Sequence, residues 1–241
     1  MTLSAGGSTA PRPEPAVATL TFVGLLLLVF AVQLRLVPGA LFLPSGLAFI
    51  PGALFGGADL PALGPGLPPP ATLVTYQFLH AGWVHLLGNL AFLAVFAPRV
   101  ERTLGHGRFT VLLLVCGIGA ALAQSWPDPA SPVAMIGASG AISGVLGAYL
   151  VLHPRAEIRV ALPGIGPLLQ LPAWVILTAW FCVQLLYTNL SEAPSGGIAF
   201  RAHVGGFTCG LLLAAVLHFL ALLSADARTV ARTLRSRDSS H

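Results

Sequence analysis

Lysine is absent from this sequence, and charged residues of either sign make up only 8% of its 241 residues. A soluble domain usually carries about 25% charged residues. Because the chain is also 56% hydrophobic, this shortage excludes an ordinary water-soluble protein and predicts a surface that faces lipid. The net charge of +4 comes from arginines that lie between apolar runs and are not interleaved with aromatic residues. It therefore indicates membrane topology and not nucleic-acid binding.

Cysteine is also scarce. The chain has three, Cys116, Cys182 and Cys209, and all lie inside apolar segments. An odd number at these positions gives neither a disulfide framework nor metal-ligand spacing. We interpret them as small apolar packing residues.

Apolar runs recur along the chain at close to the ~20 residues that a membrane-spanning helix needs. They predict six spans, at residues 16–37, 83–97, 109–124, 139–152, 173–190 and 203–223. The first run is too long for the apolar core of a signal peptide, so we interpret it as a retained helix. The predicted fold is an all-α membrane bundle over residues 16–223. An N-terminal tail of residues 1–15 precedes it, and a flexible, arginine-rich tail of residues 224–241 follows, near anionic lipid.

The arginines orient these spans. Positive charge gathers in both tails and in every second connection, at Arg12, Arg99, Arg102, Arg108, Arg155, Arg159, Arg228, Arg232, Arg235 and Arg237. The alternate connections hold only Arg35 and Arg201, near their edges. Because cytoplasmic connections carry such an excess of positive charge, the pattern predicts a cell-membrane protein with both termini in the cytoplasm.

The connection at residues 38–70 is rich in proline and glycine. It is still apolar, and Asp59 is its only charged residue. Disordered linkers are polar, so we expect this connection to fold back onto the membrane surface.

Polar groups inside membrane spans are costly and tend to be functional. This chain has such groups at His80, His85 and Asn89 near the start of the second span, at Ser139 in the fourth, and at His203 in the sixth. These three spans all begin on the non-cytoplasmic side in the predicted topology. The polar groups are therefore predicted to lie at one depth, where they can converge.

Paired glycines indicate which spans touch. The pairs are Gly140 with Gly144 in the fourth span and Gly206 with Gly210 in the sixth. Glycines at this spacing let helix backbones approach closely. A tight contact between these two spans would bring Ser139 beside His203.

Ser139 beside His203 would be an activated nucleophile. A serine hydroxyl attacks poorly unless a base within hydrogen-bond reach takes its proton, and burial would keep His203 neutral and able to accept it. Ser139 also starts a helix, whose unpaired N–H groups can stabilise an oxyanion, with Asn89 and His85 as further donors. Because no Asp or Glu lies in the predicted spans at that depth, we predict a Ser–His dyad and not a triad.

Each of these residues also has a non-catalytic interpretation. Glycine and serine clusters are common in membrane helices for packing alone, and an intramembrane histidine can belong to a proton or metal path. We interpret Ser143 and His218 as packing or interfacial residues, and His106 and His153 as loop residues beside cytoplasmic arginines. The coincidence of three polar clusters at one depth favours the catalytic interpretation.

Over residues 75–210 the chain resembles the rhomboid family of intramembrane serine proteases. The resemblance rests on an ordered set of features: His80 with His85-x-x-x-Asn89, Glu101 and Arg102 followed by Gly105 in the loop after the second span, Gly137-Ala-Ser139-Gly140, and Ala202-His203-x-Gly-Gly206. A GxSG motif alone also occurs in soluble hydrolases. The set, at these spacings and on alternating spans, is specific.

The resemblance implies that Ser139 is the nucleophile and His203 the general base. It also implies an oxyanion hole formed by Asn89, His85 and the backbone of Ser139, with Gly137 and His80 in support. The implied substrates are single-span membrane proteins, cut in or near the membrane where a helix unwinds easily at small residues. The resemblance implies no metal or cofactor.

The chain departs from the family pattern in two places. A Trp-Arg pair is common before the second span, where this chain has Ala71 and Thr72. An aromatic residue often follows the nucleophile by one turn, where this chain has Ser143. The anchoring of that loop and the support of the His203 ring are therefore left unassigned.

Two other functions remain as alternatives. A catalytically inactive rhomboid-like protein that binds membrane clients would have no need to keep Ser139 and His203. A small transporter or channel would be favoured by acidic residues in the spans, and the predicted spans contain none.

Overall fold

The computed structural model describes residues 14–36, 46–56, 67–160, 169–190 and 199–238. Its α-helices are α1 (Val17–Leu36), α2 (Pro51–Phe55), α3 (Pro69–Thr75), α4 (Trp83–Leu104), α5 (His106–Ser125), α6 (Ser139–Leu152), α7 (Ala173–Leu190) and α8 (Phe200–Asp238). A short 3-10 helix, Tyr76–Phe78, follows α3, and two strands, β1 (Glu157–Val160) and β2 (Leu169–Pro172), lie between α6 and α7. The fold is the predicted all-α membrane bundle with a small hairpin added.

Four of these helices are long and apolar enough to cross a membrane, with candidate spans at Val17–Arg35, Trp83–Leu104, His106–Ser125 and Phe200–Ser224. The shorter apolar helices α6 and α7 lie at the predicted fourth and fifth spans. Many large apolar side chains are exposed on the surface of the described residues, as lipid contact requires. The chain is therefore a multi-pass membrane protein.

The helix α4 is longer than predicted. We expected the second span to end at Ala97, because Pro98 and charged residues follow it, but the helix continues to Leu104 with Pro98 inside it. Glu101 and Arg102 therefore lie in the last turns of α4 and not in a loop. The expectation that the spans contain no acidic residue was wrong in this respect, since Glu101 is fully buried within α4. The helix ends at Leu104 and is followed by Gly105, whose φ of +82° favours glycine.

Glu101 binds the start of α1. Its carboxylate accepts the backbone N–H groups of Ala18 at 2.7 Å and Thr19 at 2.8 Å, and the Thr19 hydroxyl at 2.5 Å. Its oxygen also lies 2.5 Å from Nδ1 of His106. The first N–H groups of a helix have no partner within the helix and carry partial positive charge. Glu101 thus caps α1 from a different helix, which explains why a carboxylate is buried there.

The helix α6 occupies the centre of the bundle. Every residue from Gly140 to Tyr149 is buried, and a helix buried on all sides is apolar all round. It packs against α4, α5, α7 and α8, most extensively against α8. A Cβ at Gly206 would overlap the carbonyl oxygen of Gly140, and one at Gly210 would overlap that of Gly144. The structure thus places the predicted glycine pairs against each other.

Between α6 and α7 the chain forms an antiparallel hairpin that was not predicted. Glu157 pairs with Pro172 and Arg159 with Gln170. Strands of this length are too short to show a clear period-two pattern of apolar residues.

The last helix, α8, also differs from its prediction. It continues past the predicted end of the sixth span to Asp238, so residues 224–238, predicted to be flexible, are helical.

Part of the connection at residues 38–70 packs against the protein. Residues 38–45 and 57–66 lie outside the described residues. Phe49 forms an isolated β-bridge with Met135, and its fully buried ring lies 6.0 Å from the ring of Tyr76. The hydroxyl of Tyr76 donates to the carbonyl of Gly117 at 2.7 Å. This segment of the connection therefore braces the turn that precedes α6.

Candidate active site

Ser139 is the first residue of α6. The turn before it depends on Gly137, whose φ of +111° few other residues adopt, and whose N–H donates to the carbonyl of Tyr76 at 2.9 Å. A Cβ at this position would lie 2.6 Å from the ring of His85. Backbone conformation and the close approach of His85 both require glycine here. As the first helical residue, Ser139 presents an N–H that the helix itself leaves without a partner.

His203 lies in the first turn of α8 and reaches Ser139. Its Nε2 is 2.9 Å from Oγ of Ser139, although the two residues are 64 positions apart in the chain. The N–H of the preceding residue, Ala202, donates to Oε1 of Gln124 on α5 at 3.1 Å, which fixes the start of α8. The close contact between α6 and α8 therefore gives the geometry in which a histidine can take a proton from a serine.

A third side chain, which the sequence did not reveal, contacts the other nitrogen of this histidine. Nδ1 of His203 lies 2.8 Å from Oε1 of Gln184 on α7. Gln184 is buried, with 7% of its surface exposed. One signal could have found it, because Gln184 falls at helical spacing on the same face as Ala173 and Leu177, which are both buried and apolar. A polar residue on such a stripe in a membrane helix is costly.

Aromatic side chains from α7 and α8 surround the His203 ring. The ring of Trp180 lies 6.0 Å from it at 35°, and the ring of Phe200 lies 6.4 Å away, edge to face. These rings hold the imidazole without the aromatic residue that the family often has at the position of Ser143. Ser143 instead donates its hydroxyl to the carbonyl of Ser139 at 2.7 Å.

The side chains of the second predicted span form a linked group beside this pair. Nδ2 of Asn89 lies 2.9 Å from Nε2 of His80, and the rings of His80 and His85 meet edge to face at 5.0 Å. Nδ1 of His80 lies 3.2 Å from the carbonyl of Phe78. Asn89 and His80 are buried, and His85 is partly exposed and lies against Gly137. The structure thus brings His85 to the turn that carries Ser139, while the amide of Asn89 contacts His80.

Other residues that the sequence singled out lie away from this site. His218 is an exposed residue of α8, and His153 follows α6, 3.0 Å from the hydroxyl of Thr103. The helix α3 contains Ala71 and Thr72, and the Thr72 hydroxyl donates to the carbonyl of Pro69 at 2.6 Å. Within the described residues, no three or more side chains of histidine, cysteine, aspartate or glutamate are grouped so that they could hold a metal ion.

Comparison with known proteins identifies relatives over this same region. The family model described as "Rhomboid domain" matches residues 70–219. "Putative rhomboid protease YdcA" of Bacillus subtilis (strain 168) is 41% identical over 141 residues, which are 58% of this chain and 64% of that protein. "RHOMBOID-like protein 5" and "RHOMBOID-like protein 4" of Arabidopsis thaliana are 30% and 31% identical over 150 residues, which are 60% of this chain and 43% and 33% of those proteins. The chain thus matches between about a third and two thirds of the length of these relatives.

Proposed function

The chain belongs to the rhomboid family. From this membership together with the geometry of the site, we propose that it is an intramembrane serine endopeptidase. The observation that carries the proposal is the 2.9 Å approach of Ser139 Oγ to His203 Nε2. Family membership alone does not carry it, since a client-binding relative would share the fold. Peptide hydrolysis by a serine requires a base within hydrogen-bond reach of the nucleophile. Here the starts of two closely packed helices provide both groups.

In the proposed mechanism Ser139 attacks the carbonyl carbon of the scissile peptide. His203 takes the hydroxyl proton on Nε2 as the oxygen–carbon bond forms, and then gives that proton to the leaving amine as the carbon–nitrogen bond breaks. A water molecule then attacks the acyl-enzyme, with its proton taken by the same nitrogen. Cleavage of the ester bond returns the proton to Ser139 and releases the new carboxyl end of the substrate.

The oxyanion that forms during attack needs hydrogen-bond donors. The N–H of Ser139 is one, since it stands at the start of α6. Asn89 has two amide hydrogens, so it can keep its bond to His80 and still donate to the oxyanion. His85, packed on Gly137, is placed to donate a ring N–H from the same side. His80 then acts by holding the amide of Asn89.

We further propose that the substrates are single-span membrane proteins and that both termini of the enzyme are cytoplasmic. Ser139 and His203 start helices whose other ends lead to the arginine-rich segments at Arg155, Arg159 and residues 228–237. The arginine distribution thus supports an active site toward the non-cytoplasmic side. Small residues in a substrate helix would favour local unwinding and access to the serine.

A fluorophosphonate probe tests this proposal, because it reacts with an activated serine. The purified protein should be labelled, and both Ser139→Ala and His203→Ala should abolish labelling and cleavage of a reconstituted single-span test substrate. Ser143→Ala is the matched control: this serine lies one turn later in α6 and should leave labelling intact. Labelling that persists in Ser139→Ala would refute the assignment of Ser139 as the nucleophile. No labelling and no cleavage by the native protein would favour a client-binding role.

A further inference from the structure

Burial of the polar Gln184 side chain has a high desolvation cost, and packing alone does not explain its presence. Gln184 lies on α7 one turn after Trp180, on the face that meets α8, where neighbouring buried positions are apolar. Its side-chain oxygen contacts the ring nitrogen of His203 that Ser139 does not use, at 2.8 Å. An apolar side chain of similar volume would fill the same space at a lower desolvation cost. The amide is therefore expected to act on the histidine.

The hydrogen bond to Gln184 determines which nitrogen of His203 carries the proton. When the amide oxygen faces Nδ1, it can only accept, so Nδ1 is protonated and Nε2 keeps the lone pair that Ser139 needs. If the amide group were turned around, its N–H would donate to Nδ1 and the proton would move to Nε2. That nitrogen would then face the serine as a donor and could not act as a base.

The same contact favours the charged histidine that forms during the reaction. Once Nε2 has taken the serine proton, the imidazolium donates from both nitrogens, and Nδ1–H to the Gln184 oxygen becomes a charge-assisted hydrogen bond. The surrounding rings of Trp180 and Phe200 hold the imidazole in place but offer no acceptor in its plane. Among the described residues, the titratable group that acts electrostatically on His203 is His85 on α4.

We propose that Gln184 is a positioning residue that keeps His203 in the tautomer able to accept the serine proton, so that the site works as Ser139–His203–Gln184 and not as an isolated dyad. This inference rests on the proposed protease function. The inference gives α7 a role in orienting His203, because the hydrogen bond to Gln184 exists only while α7 is packed against the start of α8.

Kinetics of two substitutions test the role. Gln184→Met keeps the length of the side chain and removes the acceptor, and we expect kcat to fall about 10- to 100-fold with KM changed less than about twofold. Gln184→Glu keeps an acceptor, and we expect it to recover most of that loss. Because its carboxylate stabilises the imidazolium, the acidic limb of the kcat–pH profile should also move to higher pH by about one unit or more.

A matched glutamine provides the control. Gln124 on α5 accepts the N–H of Ala202 and so contacts the backbone beside His203 but not its ring. Gln124→Met should lower the melting temperature without moving the acidic limb of the profile. If Gln184→Met and Gln184→Glu behaved in this same way, Gln184 would have only a packing role and the proposal would be overturned.

A spectroscopic measurement separates this proposal from the protease assignment. Nitrogen-15 NMR of histidine-labelled protein, with the His203 signals assigned from the His203→Ala variant, reports the tautomer whether or not the protein is active. We expect Nδ1 of His203 to be protonated in the native protein and to lose this preference in Gln184→Met. A native protein with that tautomer but no probe labelling would refute the protease function alone. A tautomer that is the same in both proteins would refute the role of Gln184 alone.

Discussion

The contact between α6 and α8 can be tested at Gly206. A Cβ added there would overlap the carbonyl oxygen of Gly140 and would lie 2.9 Å from its carbonyl carbon. Carbon atoms in contact lie about 3.5–4.0 Å apart, so even alanine forces the two backbones apart by roughly 0.6 Å or more, and the oxygen contact demands more. Neither backbone can yield as a flexible side chain would. The displacement must therefore move α8 as a whole.

Movement of α8 acts directly on the site, because His203 lies one turn before Gly206. The Ser139–His203 separation of 2.9 Å would rise beyond the range of a hydrogen bond, and a misplacement of about 1 Å at a catalytic centre can reduce the rate about 100-fold. We expect Gly206→Ala to lower kcat about 100-fold and Gly206→Val to abolish activity. Overpacking should also cost about 1–3 kcal/mol of stability.

The assay compares cleavage of a reconstituted single-span substrate with thermal unfolding of the same preparations. Gly24→Ala is the matched control, since this glycine also lies in a spanning helix but a Cβ there meets nothing within 4 Å. It should retain native activity and stability. A Gly206→Ala protein with the activity of the native protein would show that the close contact is not needed to place His203.

Two further predictions follow from other contacts. Gly137→Ala should lower kcat at least about 100-fold, because the residue has a φ of +111° and its Cβ would press on the His85 ring, and a native rate of substrate cleavage would contradict this. Glu101→Gln should lower the melting temperature, because one carboxylate oxygen would become an N–H group facing the donors of α1. A cost of about 2–4 kcal/mol is expected, whereas Glu157→Gln on the exposed hairpin should leave the melting temperature unchanged.

Local properties of the chain were sufficient to predict the helices at the centre of the bundle. The bounds of α6 and α7 are those expected from the apolar runs, because the cost of placing a residue in lipid depends mainly on the residue itself. Hydropathy predicted the wrong helix end where a helix continues beyond its apolar run. This happened at Pro98 and Glu101 in α4, and again after Leu223 in α8.

Only the tertiary structure revealed the partners of buried polar groups. The sequence predicted Glu101 to lie in a loop, whereas in the fold it caps the start of α1. Gln184 gained a partner only because α7 packs beside His203. The approach of Ser139 to His203 could be predicted from the sequence because their helices carry glycines at a spacing that predicts contact. The partners of Glu101 and Gln184 lie on other helices, and no local pattern encodes them. Hydropathy is set residue by residue, whereas a hydrogen bond between helices exists only once both have packed.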